Sequence, residues 1–352
     1  MVISHTRDQE TRKIQFSGKS SYMFAIPKKW VEEMQLGAGD EVTVTRQSGT
    51  SLLISPSGVF SHKDKAEATI EVSSKNVAGN LVRKLIAMYL MGYNMIHVIP
   101  SQGILSSSQR DIVKEVVRRN LVGTEVIADS TKGITIQVLL SFPELSVENA
   151  LRRMFLISSS MHRDAMLALR KLDQDSARGV IKADDEVDRF SLYLIRQLKM
   201  AVQSSRILEE IGLASSRDCL GYRLIIKSVE RVADHASKVA QGVLLIKHRL
   251  DESLLTAITE LSDYALNIFE ESGSALFKRD YDAADVVVEK AMSIDDFEKK
   301  LLMSLEKGDR IESHQTIRLI VEHVKRMAEY ASDIAEIVIN LNVEYVVLKE
   351  RE

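Results

Sequence analysis

The stretch Ser228-Val229-Glu230-Arg231-Val232-Ala233-Asp234-His235-Ala236-Ser237-Lys238-Val239-Ala240 returns 95 residues further on as His323-Val324-Lys325-Arg326-Met327-Ala328-Glu329-Tyr330-Ala331-Ser332-Asp333-Ile334-Ala335. Val, Arg, Ala, Ala, Ser and Ala recur at identical offsets, with a similar apolar residue at two more. Apolar positions three and four apart mark one buried helix face in each copy. A fainter echo joins Val187-Asp188-Arg189-Phe190 to Ile294-Asp295-Asp296-Phe297. Repetition at this period indicates a duplicated three-helix bundle. The surroundings agree, because Pro143 is the last proline and no later residue has its power to break a helix. Helical spacing predicts six long helices at about 146–172, 176–211, 215–249, 252–278, 282–306 and 311–345, antiparallel because their links are short.

Upstream, the text changes period. Residues 65–142 read as strand, helix, strand, helix, strand, strand: Ala68–Val72, Val77–Met91, Met95–Ile99, Ser107–Asn120, Glu125–Ala128 and Ile134–Leu140. That order implies a small α/β domain with helices on one face of a sheet. Further upstream, Lys13–Phe16, Tyr22–Ile26, Glu41–Arg46 and Ser51–Ser55 alternate as strands, with a short helix at Lys28–Leu36. Four strands and one short helix in about 45 residues bury too little surface to be stable alone, so dimerisation is expected.

Composition narrows the function classes. At 352 residues, 45% hydrophobic and 28% charged, the chain reads as a water-soluble protein of two or three domains. One cysteine, Cys219, excludes an internal disulfide and suits a reducing cytoplasm. The polar start MVISHTRDQETRK has no signal-peptide core, and Leu81–Pro100 is interrupted by Arg83, Lys84, Gly92 and Asn94. No transmembrane helix is expected, and cytoplasmic localisation follows. With 5% aromatic residues, a base-stacking single-strand binder is disfavoured.

Charge is local. The net formal charge is -3, yet residues 1–31 hold Arg7, Arg12, Lys13, Lys19, Lys28 and Lys29 against Asp8 and Glu10. A dimer presenting both copies on one face would offer duplex DNA a salt-dependent phosphate surface, to which Ser20, Ser21 and Tyr22 could add neutral hydrogen bonds. A solvated, mildly basic hairpin is the plainer reading. Ser17-Gly18-Lys19-Ser20 is no phosphate-binding P-loop, since Lys13 stands where the leading glycine belongs and Pro27 interrupts the required helix. Arg12-Lys13-Ile14-Gln15, Gly18, Ser20-Ser21-Tyr22, Ala25-Ile26-Pro27-Lys28-Lys29-Trp30, Gly39-Asp40-Glu41-Val42 and Leu52-Leu53-Ile54 resemble the AbrB (SpoVT-AbrB, swapped-hairpin) DNA-binding domain. The resemblance implies an intertwined dimer whose hairpins close one barrel, with Arg12, Lys13, Lys19, Lys28 and Lys29 facing DNA. It also covers antitoxins and proteins without a DNA role.

The helical region carries paired acids. Asp184 and Asp188 are i,i+4, as are Glu230 and Asp234, so each pair leaves one side of its helix. Unpaired like charges at that spacing cost roughly 0.2–0.5 kcal/mol, and a fold that juxtaposes both pairs needs a cation between them. Carboxylate oxygens suit Mg, Mn, Fe or Zn. The plainer alternative is an exposed acidic face neutralised by Lys182, Arg189 and Arg231. Asp184-Asp185-Glu186-Val187-Asp188 and Glu230-Arg231-Val232-Ala233-Asp234 resemble the E(D)-x-x-x-D motifs of the PhoU family of phosphate-signalling proteins, built from two three-helix bundles. That resemblance spans about residues 146–347. It implies iron or zinc on the bundle and control of phosphate uptake by contact with a transporter ATPase or a histidine kinase. The second repeat departs from the motif: Lys325 and Glu329 replace Glu230 and Asp234, and Ala291 replaces Asp184, so only the first bundle is expected to hold metal. His162, His235, His314 and His323 read as packing or surface residues, and Met154, Met161, Met166, Met200 and Met303 as core fillers.

The expected organisation is therefore an AbrB-like DNA-binding and dimerisation domain at 8–58, an α/β domain at 65–142, and PhoU-like three-helix bundles at 146–249 and 252–347. The expected function is that of a non-enzymatic, DNA-binding transcriptional regulator of phosphate homeostasis, a homodimer or larger homo-oligomer without membrane insertion. The alternative is an adaptor acting by protein contact, its N-terminal domain serving only to dimerise it. A metal-dependent hydrolase at the Asp184 cluster lacks a nucleophile or general base.

Overall fold

The computed structural model describes residues 10–18, 21–48, 51–57, 67–73, 78–139, 145–305 and 314–349. The chain divides into two compact units, Met1–Asp64 and Lys65–Glu352.

The first unit has two separate antiparallel hairpins. β1 (Gln15–Ser17) pairs with β2 (Ser21–Met23), and β3 (Val42–Ser48) pairs with β4 (Ser51–Pro56). Between them, α1 (Lys28–Glu33) starts directly after Pro27, whose fixed φ suits a helix entry. Gly18, at φ +69°, makes the turn between β1 and β2, so this segment is a hairpin and not a phosphate-binding loop before a helix. Among the described residues of this unit none is buried, and Phe16, Tyr22, Val44 and Leu52 are all more than half exposed.

The second unit begins with a four-stranded sheet in the order β5-β6-β8-β7. β5 (Glu67–Val72) runs parallel to β6 (Met95–Pro100), whereas β8 (Gly133–Val138) is antiparallel to β6 and to β7 (Thr124–Ser130). Period-two alternation buries Ile70, Val72, Ile96, Val98, Ile134 and Ile136. They pack under α2 (Ala78–Leu90) and α3 (Ser107–Asn120) through Leu81, Leu85, Val113 and Val116. Ser106 caps α3 in a reciprocal capping box with Gln109. Both helices cover one sheet face, as the residue pattern predicts.

The rest is helical: α4 (Val147–Lys171), α5 (Gln174–Ala201), α6 (Ser205–Glu210), α7 (Asp218–Leu245), α8 (Glu252–Lys278), α9 (Tyr281–Met292), α10 (Ile294–Leu305) and α11 (His314–Lys349). Two of the six expected helices are broken. Ser204 accepts a hydrogen bond from Ile207 N–H and starts α6 afresh, and Ser293 N–H turns back to Lys290 C=O, tightening the last turn of α9. Neither break involves proline or glycine. Duplication extends to the turns: Leu172 and Arg279 close α4 and α8 with φ of 53° and 54°, and each is followed by an aspartate N-cap, Asp173 or Asp280.

One apolar core runs through both repeats, which meet along α7 and α11. Gly242 makes this approach possible, since a Cβ there would lie 2.9 Å from Ile320 Cγ1. Met154 and Met161 are buried and Met166 and Met200 partly so, but Met303, expected in the core, is 65% exposed. His162 is buried and bonds the Ser262 hydroxyl at 2.7 Å, and burial pulls its pKa down to about 4. No described helix is long and apolar enough to cross a membrane.

Candidate metal centre and nucleic-acid surface

Asp184 and Asp188 leave α5 beside its buried stripe of Val180, Val187 and Phe190, while Glu230 and Asp234 leave α7 beside Val229, Val232 and Ala233. Because α5 and α7 pack on each other, both acidic pairs reach one place. Carboxylate oxygens of Asp188, Glu230 and Asp234 lie within 4.8 Å of one another, all partly buried. Asp184 belongs to the same field: Ser237 hydrogen-bonds it, while its Oδ1 is buried without a partner.

The four acids disturb one another. Burial, then the charges of Asp234 and Asp188, push Asp184 up to about 7. Burial and Glu230 push Asp188 up to about 6, and the same two causes raise Asp234. Crowded carboxylates resist ionising together.

Among the described residues, none of the cations named for this face forms an ion pair with the four acids, although the charge of Arg231 still favours ionised Asp234. Arg231 lies over the Tyr330 ring, with 5.5 Å from its guanidinium carbon to the ring centre. Arg189 keeps a buried Nε without a partner, and among the described residues neither it nor Lys182 makes an ion pair. Instead Lys227, unnoticed in the sequence, stands 2.5 Å from Glu230. Flanking acids turn outward, Asp185 to Arg119 of α3 at 2.5 Å and Glu186 to Arg153 at 3.1 Å. An orphaned buried carboxylate oxygen beside three converging carboxylates fits a divalent cation held by oxygen ligands.

The second repeat supplies its own cation. Lys325 Nζ lies 2.7 Å from Asp295, 2.9 Å from Glu298 and 3.7 Å from Glu329. These partners raise the lysine pKa and lower that of Asp295. Glu298, equivalent by position to Ser191, was missed because its role depends on the lysine opposite.

In the first unit, Arg12 pairs with Glu10, Lys28 with Glu32 at 3.5 Å and Lys29 with Glu33 at 3.8 Å. Glu32 and Glu33 fall just beyond the basic window. Exposed pairs of this kind are weak. Lys13 is exposed, and Lys19 lies outside the described residues.

Comparison with known proteins places this architecture. Residues 151–243 and 258–338 match the PhoU domain, and residues 15–60 match the family described as antidote-toxin recognition MazE, bacterial antitoxin. The chain is a PhoU-domain protein: it carries two copies of that domain behind a MazE/AbrB-like N-terminal domain. It is 21% identical over 202 residues to a phosphate-specific transport system accessory protein PhoU homolog of Clostridium acetobutylicum, covering 55% of this chain and 90% of that protein. A Borreliella burgdorferi protein of the same description is 29% identical over 124 residues, covering 34% of this chain and 54% of the relative. Among solved structures, the phosphate transport system regulatory protein PhoU from Streptococcus pneumoniae aligns at 20% identity and TM-score 0.49, over 55% of this chain and 92% of that one. PhoU from Pseudomonas aeruginosa aligns at 24% identity and TM-score 0.49, over 55% and 94%.

Proposed function

We propose that this chain is a cytoplasmic, dimeric, DNA-binding regulator of phosphate uptake, with its PhoU repeats acting as sensor or partner-binding module. One observation carries the dimer: the described part of the first unit has no buried residue and exposes apolar side chains on both hairpins. A second copy interlocking its hairpins into a common barrel would cover them and double the charge of Arg12, Lys13, Lys19, Lys28 and Lys29. Duplex DNA is the matching partner, because clustered cations gain from counterion release. The reaction class is none; regulation would come from a change in orientation of the paired hairpins.

In the first repeat Asp184, Asp188, Glu230 and Asp234 would hold iron or zinc. Bound there, the metal supplies positive charge that the crowded carboxylates lack. The second repeat, filled by Lys325, would be structural.

A mobility-shift assay at two salt concentrations tests the DNA reading. Binding at low salt should fall steeply at high salt and weaken in Lys13→Ala with Lys28→Ala. No binding at low salt, or none of that sensitivity, favours the second reading: an adaptor for a transporter ATPase or histidine kinase. The Lys28–Glu32 and Lys29–Glu33 pairs, and relatives named as accessory proteins of phosphate transport, speak for that alternative.

A further inference from the structure

Both repeats face one electrostatic problem, several carboxylates crowded between two helices, and each places a lysine differently. In the second, Lys325 occupies the position of Glu230 itself, touches three carboxylates and is 20% exposed. In the first, Lys227 stands one turn before Glu230, pairs among the described residues with that acid alone and is 37% exposed. Its charge still reaches Asp188 and Asp234, lowering the cost of ionising both. Among the described residues the Lys227–Glu230 contact is the one ion pair made by the four candidate ligands. Glu322 takes the place of Lys227 in the second repeat, so this lysine belongs to the first repeat only.

Location decides what each ammonium can do. Lys325 lies among its carboxylates and is held from three sides. Lys227 lies beside the candidate ligands, leaves each of them in place and has a partly open route to water. A dication entering the first repeat would meet Glu230 already paired and a like charge nearby. Departure of the ammonium would free that Glu230 oxygen and relieve the repulsion, and a flexible four-carbon stem allows it without moving α7.

We propose that Lys227 is a displaceable counter-ion of the first-repeat carboxylate site: it pairs with Glu230 while the site holds no cation, swings into solvent when a divalent cation enters, and thereby sets the concentration at which the site fills. Lys325 is its permanent counterpart in the second repeat. The inference rests on the metal reading given above and deepens it. Only ions exchange, one ammonium leaving the carboxylates as one dication arrives.

The test is manganese titration of the metal-stripped, full-length protein, following free Mn2+ by electron paramagnetic resonance. Lys227→Met keeps the length of the side chain and removes its charge, and should bind Mn2+ about ten-fold more tightly. Lys227→Arg, which keeps the charge, should bind no more tightly than the wild type, and Asp188→Ala with Asp234→Ala should abolish binding in either background. Should Lys227→Met fold poorly, Lys227→Gln serves as the neutral variant. Wild-type binding that the aspartate pair abolishes but that neither neutral variant tightens would overturn the counter-ion role and leave the metal reading standing. Absence of binding in wild type and neutral variants alike overturns both.

Discussion

Replacing Arg196 by methionine should loosen the α/β layer from the helical body. Arg196 projects from α5 and is 4% exposed. One guanidinium nitrogen donates to the carbonyls of Tyr89 and Tyr93, the latter at 3.0 Å. The other donates to Gly92 C=O at 3.2 Å and Asn94 Oδ1 at 2.8 Å. The Tyr89 ring stacks against the cation at 4.9 Å. These carbonyls lie at or just beyond the C-terminus of α2, where a helix leaves acceptors without partners and favours positive charge. A hydrogen bond to a charged group is worth roughly 1.5–3 kcal/mol, but four that share one guanidinium do not add and water recovers part of the loss. The expected cost of Arg196→Met is about 3 kcal/mol, and Arg196→Lys, which keeps the charge and loses the fork, should cost about half as much. Urea unfolding gives the magnitude, and hydrogen exchange gives the place: protection should fall at the end of α2 and at residues 91–95 before it falls in α8. A loss under about 1 kcal/mol, or exchange unchanged there, would refute the idea that this arginine holds the two layers together.

Further outcomes follow from the same geometry. In metal-stripped protein, Asp184 and Asp188 titrate near 7 and 6 when folded and lower when unfolded, so the folded chain holds the extra protons. Their contribution is therefore greatest at low pH and is lost as pH rises through 6 to 7; after discounting for partial solvent access, it should fall by about 1–2 kcal/mol between pH 5 and 7.5, against the opposite trend set by buried His162, and an added dication should oppose the fall. Denaturant midpoints of wild type and of Asp184→Asn with Asp188→Asn at those two pH values isolate it, and a variant whose pH dependence matches the wild type contradicts it. Lys325→Met should destabilise the second repeat more at pH 8 than at pH 5, because Glu298 and Glu329 lose their shared cation; equal losses at both pH values would argue against the ion cluster. Val44→Asp with Leu52→Asp, two exposed side chains on one face of the β3–β4 hairpin, should turn a dimer into a monomer in analytical ultracentrifugation while leaving helical circular dichroism intact.

Helical order was easy to read because 3.6-residue periodicity is local, and both strand-helix alternation and the βαβαββ order are local too. What the residues did not announce are features made by distant partners. The breaks before Ser205 and at Ser293 depend on serine caps and tightened turns, signals much weaker than a proline. Asp184 and Asp188 declare themselves at i,i+4, yet their meeting with Glu230 and Asp234 is a property of α5 packing on α7. Lys227 carries a usable signal, one turn from Glu230, that was passed over because Lys182, Arg189 and Arg231 looked equally placed. Arg196 carries none: an arginine on a long helix reads as solvated until the end of α2 is brought against it. The departure of the second repeat was legible in part: Lys325 in a position otherwise acidic announces a built-in cation, whereas its partner Glu298 shows only once α10 lies against α11.

The regulator account is tested most directly by recovering DNA bound to this chain from cells grown in rich and in poor phosphate, then sequencing it. The account predicts discrete enriched sites near genes for phosphate uptake, with occupancy that changes between the two conditions and disappears in Lys13→Ala with Lys28→Ala. No enriched site in either condition, with the chain instead recovered on a transporter ATPase or a histidine kinase, would contradict it.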